Sequence, residues 1–392
     1  MSGSNDVRLS RRSVLGGLTV LGAGAGISAT LIGCQELPSG LSQGRATATV
    51  ASRPAAVAPG VTLVTFRAPA GHSVLDVVWS PDSQRLAYCT DGDIPDLRVC
   101  DLAARKTVLL YQDDTVDLIH VLSWFSSGTG QLSYLGVRAG PLQVLDPASG
   151  NTQALYDVFS DTGPGAFANV YVFAWSPDGK RVAVASEYCV TIREGVSGRV
   201  LVTYPTNPPP GGQPSYIVAW SPDGKTIASA GRTHAVQFWE AATGRPLHYF
   251  PELAHAIAAA WSPDGRYLAY MVGQSLLTIT NAGKLQPVQT IVREVSSARE
   301  ALSLSGHFLA GGGQVGPVIY PHSLAWSPDS RYLATAGQGA EVQVWEVARR
   351  RLILSYSGHR DTVLAVAWSP DGRYIASAGV DGTVQVWEAP GR

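Results

Sequence analysis

Residues 358–388 read GHRDTVLAVAWSPDGRYIASAGVDGTVQVWE, and the chain before them is built of worn copies of this stretch. Within it, Val363 to Trp368 is a near-continuous apolar run, too short for a helix and rich in β-branched residues. That pattern predicts a strand covered on both faces. Ser369, Pro370, Asp371 and Gly372 follow as a turn, with φ already set at the proline and the glycine closing the reversal. A second strand is expected over Tyr374 to Ala378, a tight hairpin turn at Asp381 and Gly382, and a third strand over Thr383 to Trp387. The stretch is a three-stranded meander.

The tetrapeptide WSPD recurs with its tryptophan at positions 79, 175, 220, 261, 326 and 368, and Trp124 in LSWFSSGTGQLSYLGV marks a degraded seventh copy. Successive spacings of 45, 51, 45, 41, 65 and 42 residues fit the period of a four-stranded propeller blade rather than that of a helical solenoid. All ten tryptophans are accounted for: seven close first strands, and Trp239, Trp345 and Trp387 lie in third strands written VQFWE, VQVWE and VQVWE. The expected fold is all-β, a seven-bladed propeller.

On these motifs the chain resembles the WD-repeat (WD40) β-propeller family from Val61 to Glu388. The resemblance implies a buried hydrogen-bonded tetrad in the last repeat, His359, Ser377, Asp381 and Trp387. Its role is structural, since a buried indole N–H needs an acceptor and a buried aspartate needs donors. Elsewhere the pattern decays. Thr233 stands at the aspartate position of the fourth repeat, and Cys100 and Leu145 replace the third-strand tryptophan.

Val61 to Phe66 is a strand without a tryptophan partner, while the chain ends after a third strand. The N-terminal strand is therefore expected to serve as the outer strand of the last blade and close the ring, as WD-repeat propellers do. Other outer strands are expected near Lys106 to Tyr111, Gln153 to Val158, Arg199 to Tyr204, Pro246 to Phe250, Leu285 to Val292 and Leu352 to Tyr356.

Composition narrows the function. Charged residues are 15% of the chain, against roughly a quarter in a typical soluble domain, and 42 Gly with 25 Pro suit a turn-rich all-β body. A net charge of -1 gives no basic field to recommend nucleic acid, and the run Arg349, Arg350, Arg351 reads as a solvated loop.

Residues 1–33 read as an address. Ser10 to Leu15, with Arg11 and Arg12, resembles a twin-arginine export signal, and Leu31, Ile32, Gly33, Cys34 resembles the bacterial lipobox, in which the Cys34 thiol takes a diacylglycerol. Two acyl chains suffice for stable anchoring. This implies an extracytoplasmic protein anchored through lipid, with residues 34–60 as a flexible tether and 61–392 as the propeller. The tether contains Gly40-Leu41-Ser42-Gln43-Gly44, a formal nucleophile-elbow match rejected for lack of a flanking strand and helix.

Little chemistry is visible. Asp91 to Asp96 is an acidic loop without the length or distal glutamate of an EF-hand, and reads as a solvated turn. Cys89 and Cys100 fall on neighbouring strands but out of direct opposition, which does not favour a disulfide, and Cys189 has no evident mate. Gly311 to Gly316 opens no helix that would cradle a phosphate. No catalytic, cofactor or metal-ligand set emerges. The function expected is a non-catalytic platform, a monomeric ring binding a protein or peptide partner. The alternative is a lactonase-like propeller hydrolase with a metal in the central channel, which the apolar first strands disfavour. A TolB-type periplasmic propeller is a third resemblance, weakened by the VQVWE strands.

Irregular lengths point to the partner's face. The turns between first and second strands are monotonous, whereas Asp91 to Asp96, Ser160 to Asn169, Pro205 to Ser215 and the insertion Val295 to Tyr320 are expected on the opposite side. Ser297 and Glu300 form a capping box that predicts a short helix through Leu304. Asp93, Asp96, Arg299, His307, Phe308 and Arg360 are the candidate contact residues.

Overall fold

Apolar runs of about six residues between Ser-Pro-Asp turns leave no length for a helix, and every regular element among the described residues is a β-strand. The structure, a computed structural model, describes residues 59–391 apart from 93, 117, 126–129, 137–141, 157–169, 187–188, 206–214, 232–234, 253–254, 274–285, 310–322 and 337–339. Its strands form seven four-stranded antiparallel sheets. Six take four consecutive strands each: blade 1 runs from Val74 to Gln112, blade 2 from Ile119 to Tyr156, blade 3 from Val170 to Pro205, blade 4 from Ser215 to Pro251, blade 5 from His255 to Leu309 and blade 6 from Leu324 to Tyr356. Blade 7 joins the two ends of the ring. Its strands Val363–Trp368, Tyr374–Gly379 and Thr383–Glu388 are completed by Thr62–Arg67, with Val64 opposite Val386 and Phe66 opposite Val384. The innermost strands touch in a closed circle, the last against the first. This is a seven-bladed β-propeller, closed by its N-terminal strand.

Small residues and indoles hold the inner circle together. In five blades the residue before the inner tryptophan is alanine: Ala174, Ala219, Ala260, Ala325 and Ala367. That small residue lets the next blade's indole approach its carbonyl. Trp220 donates to Ala174 O at 3.0 Å, Trp261 to Ala219 O at 3.3 Å, Trp326 to Ala260 O at 3.0 Å and Trp79 to Ala367 O at 3.1 Å. Each bond ties one blade to its neighbour while the ring around it is buried. Trp175 reaches Ser133 Oγ instead, at 2.9 Å, and Trp368 Nε1 has no partner among the described residues.

The Ser-Pro-Asp turns repeat one local device. The serine hydroxyl donates to the aspartate two residues on, at 2.6 Å from Ser80 to Asp82 and at 2.7 Å from Ser369 to Asp371. The same aspartate accepts the backbone N–H of residue 84 or 373, which fixes the reversal. Ser83 and Ser330, where other blades carry glycine, hold φ of 59° and 61°. Their hydroxyls accept from Asp371 N at 3.1 Å and Asp264 N at 3.0 Å, so the strained residue links two blades.

Blade 5 departs from expectation. Leu285 to Val292, expected as an outer strand, is the third strand, observed as Gln286–Glu294, and the outer strand is Glu300–Leu309. No helix starts at Ser297. Ser297 Oγ turns to Glu294 Oε2 at 2.7 Å within the hairpin, and residues from Glu300 pair with the third strand. The physical reason is the alternation Ala301-Leu302-Ser303-Leu304, which buries Leu302 and Leu304 and leaves Ser303 outside: a period of two, not of 3.6. The extra length of this repeat falls at 274–285 and 310–322, outside the described residues, as do the links 160–169 and most of 205–215.

Candidate interaction face

The propeller has two unlike faces. On one lie the Ser-Pro-Asp turns and the turns from third to outer strand, joined by bonds such as Ala241 N to Lys225 O and Val347 N to Arg331 O. The turns of blades 1, 5, 6 and 7 line an opening of about 500 Å³ there, but each aspartate in it is already engaged by its own serine. The hairpins from second to third strand and the links between blades lie on the other face, which is called the link face below.

Blade 7 presents the link face on a rigid footing. Asp381 accepts from the N–H groups of Arg360 and Thr383, both at 3.0 Å, and from Thr383 Oγ1 at 2.7 Å. His359 Nδ1 lies 3.1 Å from Asp381 Oδ2, His359 Nε2 lies 2.8 Å from Ser377 Oγ, and Trp387 Nε1 donates to Ser377 Oγ at 3.3 Å. With Asp381 ionised the chain has one consistent direction: His359 donates to the carboxylate, Ser377 donates to His359, and the indole donates to Ser377. Burial would push the Asp381 carboxyl up, but the bonds from His359, Arg360 and Thr383 outweigh it and hold the group well below the usual carboxylate range. Gln385 adds Tyr356 and the Gly358 carbonyl, and Tyr356 in turn meets Thr62 of the closing strand at 2.6 Å.

Other blades fill the same positions differently, and sequence reading missed how. By strand register, Tyr88, Tyr134 and Tyr270 occupy the place of Ser377 in blades 1, 2 and 5, while Arg193 and Arg293 occupy that of Trp387 in blades 3 and 5. Their partners are carboxylates, carbonyls and hydroxyls. Tyr134 and Gln143 donate to buried Asp113 in blade 2, and Tyr270 donates to Glu252 while accepting from Arg293 at 2.6 Å in blade 5. In blade 1 Tyr88 donates to the Arg67 carbonyl, and Arg98 binds Asp96 at 2.7 Å. Burial raises Tyr134 and Tyr270 far above the ordinary phenol, and the neighbouring carboxylates add to it. The signal was legible by aligning second strands: LAYC, LSYL and LAYM against IASA in blades 4 and 7.

Around blades 7 and 1 the link face becomes a continuous surface. The Gly382 backbone packs on the His72 carbonyl so closely that a β-carbon there would lie 2.6 Å from it, and Ala68 N donates to Gly382 O at 2.8 Å. His72 also touches Gly92 and stands 3.7 Å from Asp91, whose carboxylate accepts Ser73 N at 2.6 Å. Beside this seam Val380 is 40% and Ile94 48% exposed, with exposed Arg360 and Asp361 on the segment that bonds Val380 and Asp381.

The candidate contact residues are thereby sorted. Arg360 lies at this seam, and Asp96 stands at its edge with its carboxylate buried against Arg98 and Thr90. Asp93 is outside the described residues; His307 and Phe308 sit toward the link-face end of the blade 5 outer strand, opposite Val288 and Pro287, with their side chains undescribed. Arg299 is a correction. It follows the third strand of blade 5 and so lies on the opposite face, because the residues expected as an inserted helix are a strand. Cys89 and Cys100 are free thiols, Cys89 facing Leu97 and not Cys100 in the register. Arg11, Arg12 and Cys34 precede the described residues.

Comparison with known proteins agrees with this architecture. Residues 60–94, 215–240, 298–346 and 350–388 match the family described as WD domain, G-beta repeat. One solved structure, titled "Crystal Structure of Mitotic Checkpoint Complex", is similar with a TM-score of 0.61 at 19% identity, covering 91% of this chain and 99% of that one. As 1654 solved chains match, the likeness speaks for the fold and not for any one partner. No curated protein matches the chain.

Proposed function

We propose that this WD40-type propeller is a non-catalytic interaction platform, held outside the cytoplasmic membrane by lipid on Cys34, that receives a protein or peptide partner on the link face at blades 7 and 1. The observation that carries the reading is the exposure of Val380 beside Arg360 on blade 7, the blade with the most complete hydrogen-bonded centre, and of Ile94 on the neighbouring hairpin of blade 1. Apolar anchors rimmed by charge and set on rigid elements are what a partner surface needs. Support for the platform class comes from the WD40 repeats and from a structural neighbour that is itself a protein complex. The setting is supported by the sequence from Ser10 to Cys34.

The test is a capture experiment from membranes with the full chain, wild type against an Ile94→Glu, Val380→Glu double variant. Loss of the captured partner with an unchanged melting temperature is expected; retention of the full partner set would remove this surface from consideration. Anchoring is read separately. Cys34→Ala is expected to release the protein from membranes or leave the signal uncut, and Arg11→Lys with Arg12→Lys to leave it in the cytoplasm. Membrane fractionation of both variants as mature protein would sink that part.

A further inference from the structure

The face opposite the partner surface carries its charge unevenly. In blades 3 and 4 the glutamate closing the third strand meets one arginine, Glu194 with Arg199 at 3.8 Å and Glu240 with Arg245 at 3.6 Å. In blade 6 the buried Glu346 meets three, Arg349 at 3.0 Å, Arg351 at 3.5 Å and Arg331 at 4.0 Å, whose side chains are 70%, 65% and 56% exposed. Arg350, on the same turn, donates to the Glu300 carbonyl of blade 5 at 3.2 Å. Within blade 6 four guanidinium groups thus stand against two carboxylates on this face, Glu346 and Asp329; Glu300 of blade 5 and Glu388 of blade 7 lie beside them, so the corner offers exposed guanidinium groups around a buried glutamate rather than an excess of charge. Guanidinium groups are weakly hydrated and bind phosphate oxygens in pairs.

The chain enters and leaves the ring at the same corner. Gly60 donates to the Glu388 carbonyl at 3.1 Å and packs against Leu354 in the outer strand of blade 6, and Gly391 packs on the ring of Tyr332, next to Arg331. Whatever precedes Gly60 is therefore attached on the Ser-Pro-Asp face, beside the arginines and away from Ile94 and Val380.

We infer that the corner formed by Arg331, Arg349, Arg350 and Arg351 docks the propeller on an anionic phospholipid surface, turning the link face outward. The inference takes its setting from the lipid anchor proposed above: an acyl group on Cys34 draws the face where the chain enters toward the bilayer, and the exposed guanidinium groups there meet lipid phosphate. Each arginine brought to an anionic surface contributes about fivefold in partitioning, an effect lost within a Debye length.

The experiment uses the chain from Gln35 onward, which keeps the whole closed ring and lacks the acylated cysteine, so that the arginines are read without the lipid. Flotation is measured with phosphatidylglycerol-containing vesicles and with pure phosphatidylcholine vesicles, at low salt and at high salt. Preference for the anionic vesicles, abolished by salt, is expected. The variant Arg349→Gln, Arg350→Gln, Arg351→Gln is expected to reduce that partitioning on the order of 100-fold, whereas Arg360→Gln on the link face leaves it unchanged. Equal binding to both vesicle types, or equal loss in the triple variant and in Arg360→Gln, would overturn the proposal. Failure of the anchor would show instead in fractionation of Cys34→Ala, which this measurement does not involve.

Discussion

In blade 7 the space between second and third strands holds Trp387, Ser377, His359 and Asp381 in one line of hydrogen bonds; in blade 5 the same register positions hold Tyr270 and Arg293, closed by Glu252 at 3.2 Å from the guanidinium. The apolar frame around them is alike, with Ile375 and Leu268 both fully buried and the inner Trp368 and Trp261 in place. The volume at the centre can therefore be filled in more than one way, provided every buried polar atom finds a partner. The two fillings differ in energetic character. Blade 7 relies on bonds among mostly neutral groups, whereas blade 5 holds a partly buried ion pair whose desolvation its attraction must offset.

Removing the strand that blade 7 borrows should have the largest effect on this contrast. Deletion of Thr62–Arg67 opens the edge of Thr383–Glu388 and removes the Tyr356–Thr62 bond, so aggregation or a large loss of melting temperature is expected. Blade 5, complete within itself, has no such dependence. A truncated protein that melts like the full chain would mean that closure does not stabilise the ring.

Next come the two centres. Trp387→Ala empties a fully buried site and should cost about 3–5 kcal/mol in denaturant unfolding. Arg293→Ala leaves the partly buried Glu252 carboxylate with Tyr270 as its remaining donor and should cost less, about 1–3 kcal/mol. The comparison sharpens with Glu252→Gln, Arg293→Met together, which should be milder than Arg293→Ala alone because no partly buried charge is left without its counter-charge. A double variant worse than the single would show that the ion pair is a net stabiliser of blade 5.

Smaller effects separate single bonds. Ser377→Ala leaves both the indole N–H and one His359 nitrogen unpaired, and should cost about 2 kcal/mol. Tyr270→Phe leaves Arg293 and Glu252 still paired, and should cost about 1 kcal/mol. The reverse order would contradict the described networks.

The smallest expected effect is the response to acid. Because the folded pKa of Asp381 is depressed, its contribution is complete above the unfolded carboxylate value near 4 and is lost as pH falls below that toward the folded value. Asp113 in blade 2 is lowered in the same direction: burial opposes ionisation, but bonds from Thr115, Tyr134 and Gln143 outweigh it. Stability should therefore fall below about pH 4, and Asp381→Asn should flatten that fall without changing the slope near neutrality. An unaltered acid slope in the variant would remove Asp381 from the titration.

Much of this protein was determined by sequence alone. Short apolar runs, Ser-Pro-Asp turns and a repeating tryptophan admit only a four-stranded unit, and a stray N-terminal strand with a missing terminal one admits only closure between the ends. Local patterns settle these because turn chemistry and strand period act over a few residues. The tetrad of blade 7 was legible for the same reason, as all four of its residues lie in one repeat. Tertiary structure decided what lies between repeats. The Asp113 carboxylate comes from the link before blade 2 and Glu252 from the one before blade 5, so no motif inside either repeat announces them. Arg299 changed faces because the alternation of Leu302 and Leu304, given a partner strand to bury them against, outweighed a capping box that would stabilise only a short isolated helix. The meeting of Gly382, His72 and Gly92, and of Arg331 with Arg349 and Arg351 around Glu346, likewise joins residues of separate strands and links, which only the closing of the ring and the pairing of the strands bring within reach.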